Sequence, residues 1–220
     1  STRMRPQSFD EFVGQRHIIG KDKVLRRTIE NGEVPSIILW GPPGSGKTTL
    51  AHLIAEYTQS QFVSISAVTS GVSEVRKLIG HAQVIRKEQN YRTILFIDEI
   101  HRFNKSQQHV ILPYIEDGTI TLIGATTENP SFEVISPLLS RCRILRLYPL
   151  SEIELENVLK RAMVNDILLI QRNLKLDEKA KILLLESCGG DVRKMLNTLE
   201  LSVSLHTEEN PRLTKEDIQE

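Results

Sequence analysis

Cysteine is scarce: the 220 residues contain two, Cys142 and Cys188. They match no zinc-ligand spacing and form no disulfide framework, so a reducing, cytosolic setting is the expectation. Net charge is absent as well. Lysine plus arginine number 28 and aspartate plus glutamate 28. This balance gives no sign of a nucleic-acid partner, although a neutral chain can still carry a local basic face. Long apolar runs are missing, and the first residues have no charged n-region followed by an apolar h-region, so neither secretion nor a membrane partner is expected. Repeats and low-complexity tracts are also missing. What remains is 40% hydrophobic and 25% charged. That is ordinary globular composition, long enough for one α/β domain with a good core plus a small second domain.

One stretch organises the chain. Gly41-Pro42-Pro43-Gly44-Ser45-Gly46-Lys47-Thr48 fits G-x-x-x-x-G-K-[ST], the phosphate-binding loop. Ser36-Ile37-Ile38-Leu39-Trp40 before it reads as a buried strand, and Thr49 to Tyr57 after it has apolar residues at helical spacing. Strand, glycine loop and helix N-terminus is what the chemistry needs. Loop N–H groups and the positive end of the helix dipole surround a polyphosphate, and glycine lets the backbone come close. Lys47 is expected to reach the β- and γ-phosphates and the Thr48 hydroxyl to bind Mg²⁺, with Gly41 through Thr49 forming the nucleotide contact.

Thr93-Ile94-Leu95-Phe96-Ile97-Asp98-Glu99 is the second signal: a buried parallel strand with two carboxylates at its C-terminal end. Ligands of open α/β sheets bind at that end. Asp98 fits the acidic residue of a Mg²⁺ shell, and Glu99 stands where a carboxylate can polarise the attacking water. Further strands are read at residues 61–66, 119–125 and 143–147, alternating with helices over 21–31, 72–89 and 103–116, the last interrupted at Pro113. Five strands alternating with helices imply a parallel sheet with right-handed crossovers. Arg76, Lys77, Arg86 and Lys87 on the outer face of the 72–89 helix read as a solvated face in preference to a DNA contact.

Tyr148-Pro149-Leu150 marks a change to helices only. Ser151-x-x-Glu154 is a capping box opening the helix over 151–165. A helix beginning at Leu176-Asp177-Glu178 closes at Gly189-Gly190, Asp191 caps the next, and Thr214-x-x-Asp217 caps another. The expected division is an α/β nucleotide-binding domain over residues 1–148, an all-α lid over 149–207, and the start of a further region over 208–220. No Leu-Ser-Gly-Gly-Gln string is present, which speaks against a transporter ATPase.

Together, the phosphate loop, the apolar-Asp-Glu strand and the helical lid look like an AAA+ ATPase. Ile38-Leu39-Trp40-Gly41-Pro42-Pro43, the run from Leu95 to Lys105 (Leu-Phe-Ile-Asp-Glu-Ile-His-Arg-Phe-Asn-Lys) and the run from Ile123 to Phe132 (Ile-Gly-Ala-Thr-Thr-Glu-Asn-Pro-Ser-Phe) resemble the RarA/MgsA family. This is the family of replication-associated recombination protein A and the Werner-helicase-interacting ATPase. His109 departs from the family pattern, which has Asp after the Gln pair, and family members continue into a C-terminal oligomerisation region, so a fragment is expected.

The resemblance implies Thr127 as the sensor-1 residue, with Thr126 as fallback, and Arg141 in Ser140-Arg141-Cys142 as an arginine reaching a neighbouring subunit's nucleotide. It also implies Arg193 in Gly190-Asp191-Val192-Arg193 as a lid residue contacting the γ-phosphate, and Val13-Gly14 near the adenine. The function it implies is Mg²⁺-dependent ATP hydrolysis acting on DNA at stalled or gapped replication forks. Single-strand-binding protein would be nearby, the full-length protein homo-oligomeric, and the setting cytoplasmic and nucleoid-associated. A clamp-loader subunit or a Holliday-junction motor is the alternative within the ATPases. A nucleotide-gated scaffold with negligible turnover is the alternative outside them, and the Asp98-Glu99 pair argues against it.

Overall fold

The computed structural model describes residues 2–206 and 211–219. The expected boundary between residues 207 and 208 lies outside the described residues. Two compact units are present, and each is built on its own core.

The sheet unit comprises Gln15–Gly41 and Lys47–Leu147. Its strands are β1 (Ile37–Trp40), β2 (Gln61–Ser66), β3 (Thr93–Asp98), β4 (Ile120–Thr126) and β5 (Arg143–Arg146). All pair in parallel, in the order β2-β3-β4-β1-β5. Its helices are α1 (Arg16–Ile19), α2 (Val24–Glu30), α3 (Lys47–Tyr57), α4 (Val72–Gln89), α5 (Lys105–Glu116), α6 (Pro130–Glu133) and α7 (Ser136–Leu139). Period-two alternation sorts the strand residues onto two faces. Ile38, Leu95, Ile97 and Leu122 share a core with Val75 and Ile79 of α4 and Ile111 of α5. Phe96 points the other way, stacks on Phe62 with centroids 5.6 Å apart, and Phe62 meets His52 of α3 at 4.0 Å. Helices therefore cover both faces, as continuous apolar strands require.

One local expectation changes and one, the exposed face of α4, gains detail. Pro113 does not interrupt α5, which runs unbroken from Lys105 to Glu116. Proline removes the N–H that would bond to the His109 carbonyl, but Pro113 and His109 both lie on the exposed face of the helix. Arg86 is more than a solvated cation: its guanidinium donates to the Asp117 carbonyl at 2.9 Å and to Thr119 Oγ1 at 3.4 Å, tying α4 to the turn before β4.

The helical unit comprises the described residues up to Gly14, Pro42–Gly46, and the described residues from Tyr148 onward. It contains α8 (Glu152–Asn165), α9 (Ile167–Gln171), α10 (Glu178–Cys188), α11 (Val192–Leu205) and α12 (Lys215–Gln219). Helices are joined here by one pair of two-residue strands, β6 (Lys175–Leu176) and β7 (Arg212–Leu213). Its core gathers Leu155, Leu159, Leu184, Met195 and Leu199, with Met4 and Val13 of the N-terminal arm packed against it. Gly189 ends α10 in the left-handed conformation, φ 57°. The Ser151–Glu154 capping box is formed in full. Ser151→Ala is expected to lower the stability of this unit by about 1 kcal/mol, read as a lower urea midpoint with unchanged slope. An unchanged midpoint would show the cap to be redundant.

Candidate nucleotide site

The strand order places β1 between β4 and β5, and β3 between β2 and β4. The chain runs from β1 across to the β2 edge, works back to β4, then passes β1 to reach β5. The C-terminal end of β1 is thus the topological switch point, where open α/β sheets bind ligands. Trp40 at that end pairs with Thr126, and Asp98 ends the next strand over from β4. Sheet register therefore brings Gly41, Asp98, Glu99 and Thr127 to one edge of the sheet unit, and Lys47, followed by Thr48 and Thr49 at the start of α3, is tied to that edge by its bond to Gly41.

Lys47 opens α3 and its Nζ donates to the Gly41 carbonyl at 2.7 Å. Within the helical unit, Ser45 is buried and donates Oγ to the Pro42 carbonyl at 2.8 Å. Gly44 and Gly46 take positive φ, +69° and +97°, which side chains rarely adopt. Space forbids a side chain there as well. A Cβ on Gly44 would collide with Asp191 Oδ1, and one on Gly46 would lie 2.7 Å from Phe12 Cζ. The loop is thus bare backbone at both glycines, the form that a phosphate cradle requires. The same Asp191 oxygen accepts the N–H groups of Arg193 and Lys194 at 2.8 and 3.1 Å, capping α11. Arg193 is exposed in the first turn of that helix. Val13 packs on the helical core, and Gly14 turns the chain at φ +82°.

Asp98 is exposed at the end of β3, and its Oδ1 accepts the Glu99 N–H at 3.1 Å. Glu99 is half-exposed in the left-handed conformation, φ 52°. Its carboxylate meets Arg102 Nε at 3.3 Å, an exposed ion pair of small energetic weight. The two threonines after β4 divide sharply. Thr126 is 1% exposed and engaged with His101 and Glu128, whereas Thr127 is exposed.

Arg141 is not brought to this edge. It lies two residues before β5, whose first residue, Arg143, is in register with Ile37 at the start of β1. Because the strands are parallel, Arg141 stands at the opposite edge of the sheet, the far end of a four-residue strand spanning roughly 13 Å. There it forms an ion pair with Glu116 at the end of α5 and donates to the Pro137 carbonyl at 2.8 Å. Burial pushes the neighbouring Cys142 thiol up to about 12, which removes it as a nucleophile at neutral pH.

Residues 37–150 match the family model described as ATPase family associated with various cellular activities (AAA). The chain belongs to the AAA family of ATPases. Within it, the chain is 48% identical over 218 residues to replication-associated recombination protein A of Coxiella burnetii, covering 99% of the chain and 49% of the relative. It is 44% identical over 209 residues to ATPase WRNIP1 of Dictyostelium discoideum, covering 95% and 24%. The likeness carried by the Asp98–Lys105 and Gly124–Phe132 strings therefore extends along nearly the whole AAA chain. The chain spans about half the length of the bacterial relative. Among solved structures, the Thermotoga maritima RuvB Holliday junction branch migration motor superposes with a TM-score of 0.78 at 30% identity, over 99% of this chain and 71% of that one. The expected architecture, a five-stranded parallel AAA+ sheet flanked by helices and followed by a helical part, is the one observed.

Several neighbours of the residues named from the sequence were not themselves evident in it. Asp191 against Gly44, Phe12 against Gly46, Glu116 beside Arg141 and His101 beside Thr126 are all long-range partners. Two of them left a trace: His101 sits in the string that follows Asp98-Glu99, and Asp191 in the string that ends at Arg193.

Proposed function

We propose that the chain hydrolyses ATP and couples that hydrolysis to DNA in replication-associated recombination. The observation that carries the reading is the Asp98–Glu99 pair at the switch-point edge of the sheet, on β3, with β4 between it and the end of β1. A nucleotide-gated scaffold needs the phosphate loop but not Glu99. In the proposed reaction Glu99 orients a water and accepts its proton as oxygen attacks the γ-phosphorus. The bond to the β–γ bridging oxygen breaks, and ADP and phosphate form. Lys47 leaves the Gly41 carbonyl to face the β- and γ-phosphates, and the Thr127 hydroxyl contacts the γ-phosphate or the water. Thr48 and Asp98 offer a hydroxyl and a carboxylate, a hard-oxygen set that suits Mg²⁺ completed by phosphates and water. When bound, Mg²⁺ would offset phosphate charge. Val13 and Gly14 are assigned to the adenine side and Arg193 to the γ-phosphate.

Arg141 stands at the sheet edge opposite its own chain's carboxylates, which supports a role at a neighbouring copy's nucleotide and hence a homo-oligomer in the longer protein. The 48% identity to a replication-associated recombination protein, against 30% to a Holliday junction motor, favours the first DNA role over the second. Gapped or forked DNA with single-strand ends, single-strand-binding protein nearby and a cytoplasmic, nucleoid-associated setting complete the proposal. No helix among the described residues is long and apolar enough to cross a membrane.

Steady-state phosphate release over a wide range of protein concentration, with and without DNA carrying a single-strand end, tests it. Specific activity is expected to rise with protein concentration and again with DNA. Flat, negligible turnover despite clear ATP binding would favour the scaffold.

A further inference from the structure

None of the roles above uses His101, yet it is among the most constrained polar side chains near the proposed chemistry. It belongs to the 3₁₀ turn Ile100–Arg102, which follows Glu99 directly. Its imidazole is 8% exposed. Nδ1 lies 3.0 Å from Thr126 Oγ1, and Nε2 lies 3.6 Å from Glu128 Oε1. The Thr126 hydroxyl, itself buried, accepts the Glu128 N–H at 3.0 Å and donates to the Glu128 carbonyl at 3.2 Å. A hydroxyl has one proton. With that proton on Glu128, the bond to His101 requires Nδ1–H as the donor.

The neighbouring residue strengthens the attachment. Ile100 is fully buried and packs on Gly124 of β4, where an added Cβ would lie 2.8 Å from Ile100 Cδ1. Successive residues thus dock the turn on β4, Ile100 by apolar contact and His101 by a buried hydrogen bond. Glu99, just before them, holds a left-handed backbone. A non-glycine residue keeps that conformation only where its surroundings over-determine it. The docked turn supplies the constraint on one side and the Asp98 carboxylate, bonded to the Glu99 N–H, supplies it on the other.

We infer that His101 is a positioning residue. It ties the turn that carries Glu99 to the strand end that carries Thr127, so the water-activating carboxylate and the γ-phosphate hydroxyl keep a fixed spacing. This rests on the proposed ATPase reading.

Two variants separate positioning from bulk. His101→Leu keeps volume and removes the donor. His101→Asn returns an amide N–H near the Nδ1 position. Single-turnover ATP hydrolysis and ATP affinity are measured for both, with Glu99→Gln alongside. His101→Leu is expected to slow the hydrolytic step by about ten- to a hundredfold, the scale of a small misplacement of a catalytic group, with affinity within about twofold of wild type. His101→Asn is expected to recover most of the rate. Wild-type hydrolysis by His101→Leu beside an inactive Glu99→Gln would overturn the inference and leave the ATPase reading standing. So would a slow His101→Leu that asparagine does not restore, or a loss of ATP binding in both His101 variants. Full activity in Glu99→Gln would instead overturn the reading beneath it.

Discussion

Glu99→Gln is expected to keep ATP binding and to slow hydrolysis by roughly 10²- to 10⁴-fold, the usual contribution of a positioned general base. The amide has the size of the carboxylate but accepts no proton at neutral pH, so a water beside the γ-phosphate keeps its place and loses its base. Folding is not expected to suffer. The ion pair lost, to Arg102 at 3.3 Å, joins two half-exposed side chains. The left-handed backbone at Glu99 is held through bonds of its own main chain that glutamine retains, from Arg102 N–H to the Glu99 carbonyl at 2.8 Å and from the Glu99 N–H to the Asp98 carboxylate at 3.1 Å. Titration with a fluorescent ATP analogue, paired with phosphate release, checks both halves. Unchanged turnover would remove Glu99 from the water-activating role.

Arg141→Ala is expected to cost on the order of 10³-fold in turnover, and only where copies assemble, since a guanidinium supplied to a transferring phosphoryl group acts at the moment charge develops. Within its own chain Arg141 pairs with Glu116 and bonds the Pro137 carbonyl and Ser140 Oγ. These are exposed contacts, so their loss should barely move the melting temperature. The decisive form is a mixture. Arg141→Ala keeps Glu99, and Glu99→Gln keeps Arg141. In a head-to-tail assembly mixed equally, about one interface in four joins an intact Glu99 to an intact Arg141. Two inactive preparations should therefore regain activity on mixing. If activity stays at the sum of the separate preparations, Arg141 does not act across an interface.

Helix caps and periodic stretches were legible because their causes are local. The Ser151–Glu154 box and the Asp191 cap each lie within three residues of the groups they satisfy, and the left-handed Gly189 directly follows the helix it ends. The span of α4, 72–89, follows from apolar residues at helical spacing alone. Four- and five-residue helices such as α6, α7 and α9 carry too few turns to show a period, and β6 and β7 are two residues each. Pro113 is the instructive failure. Local propensity ends a helix there, but Pro113 lies on the exposed face, and buried Ile111 and partly buried Ile115 hold α5 to the core on both sides.

By itself, then, the sequence determined the chemistry on offer: a glycine cradle before Lys47 and Thr48, and two carboxylates closing an apolar strand. Backbone conformation and side-chain type decide those features over a few neighbouring residues. Only the tertiary structure decided which groups meet. The order β2-β3-β4-β1-β5 gathers Lys47, Asp98, Glu99 and Thr127 on one edge and sends Arg141 to the other. It also seats His101 on Thr126, 25 residues away. Such pairings are set by packing between distant segments, and distance along the chain carries no record of them.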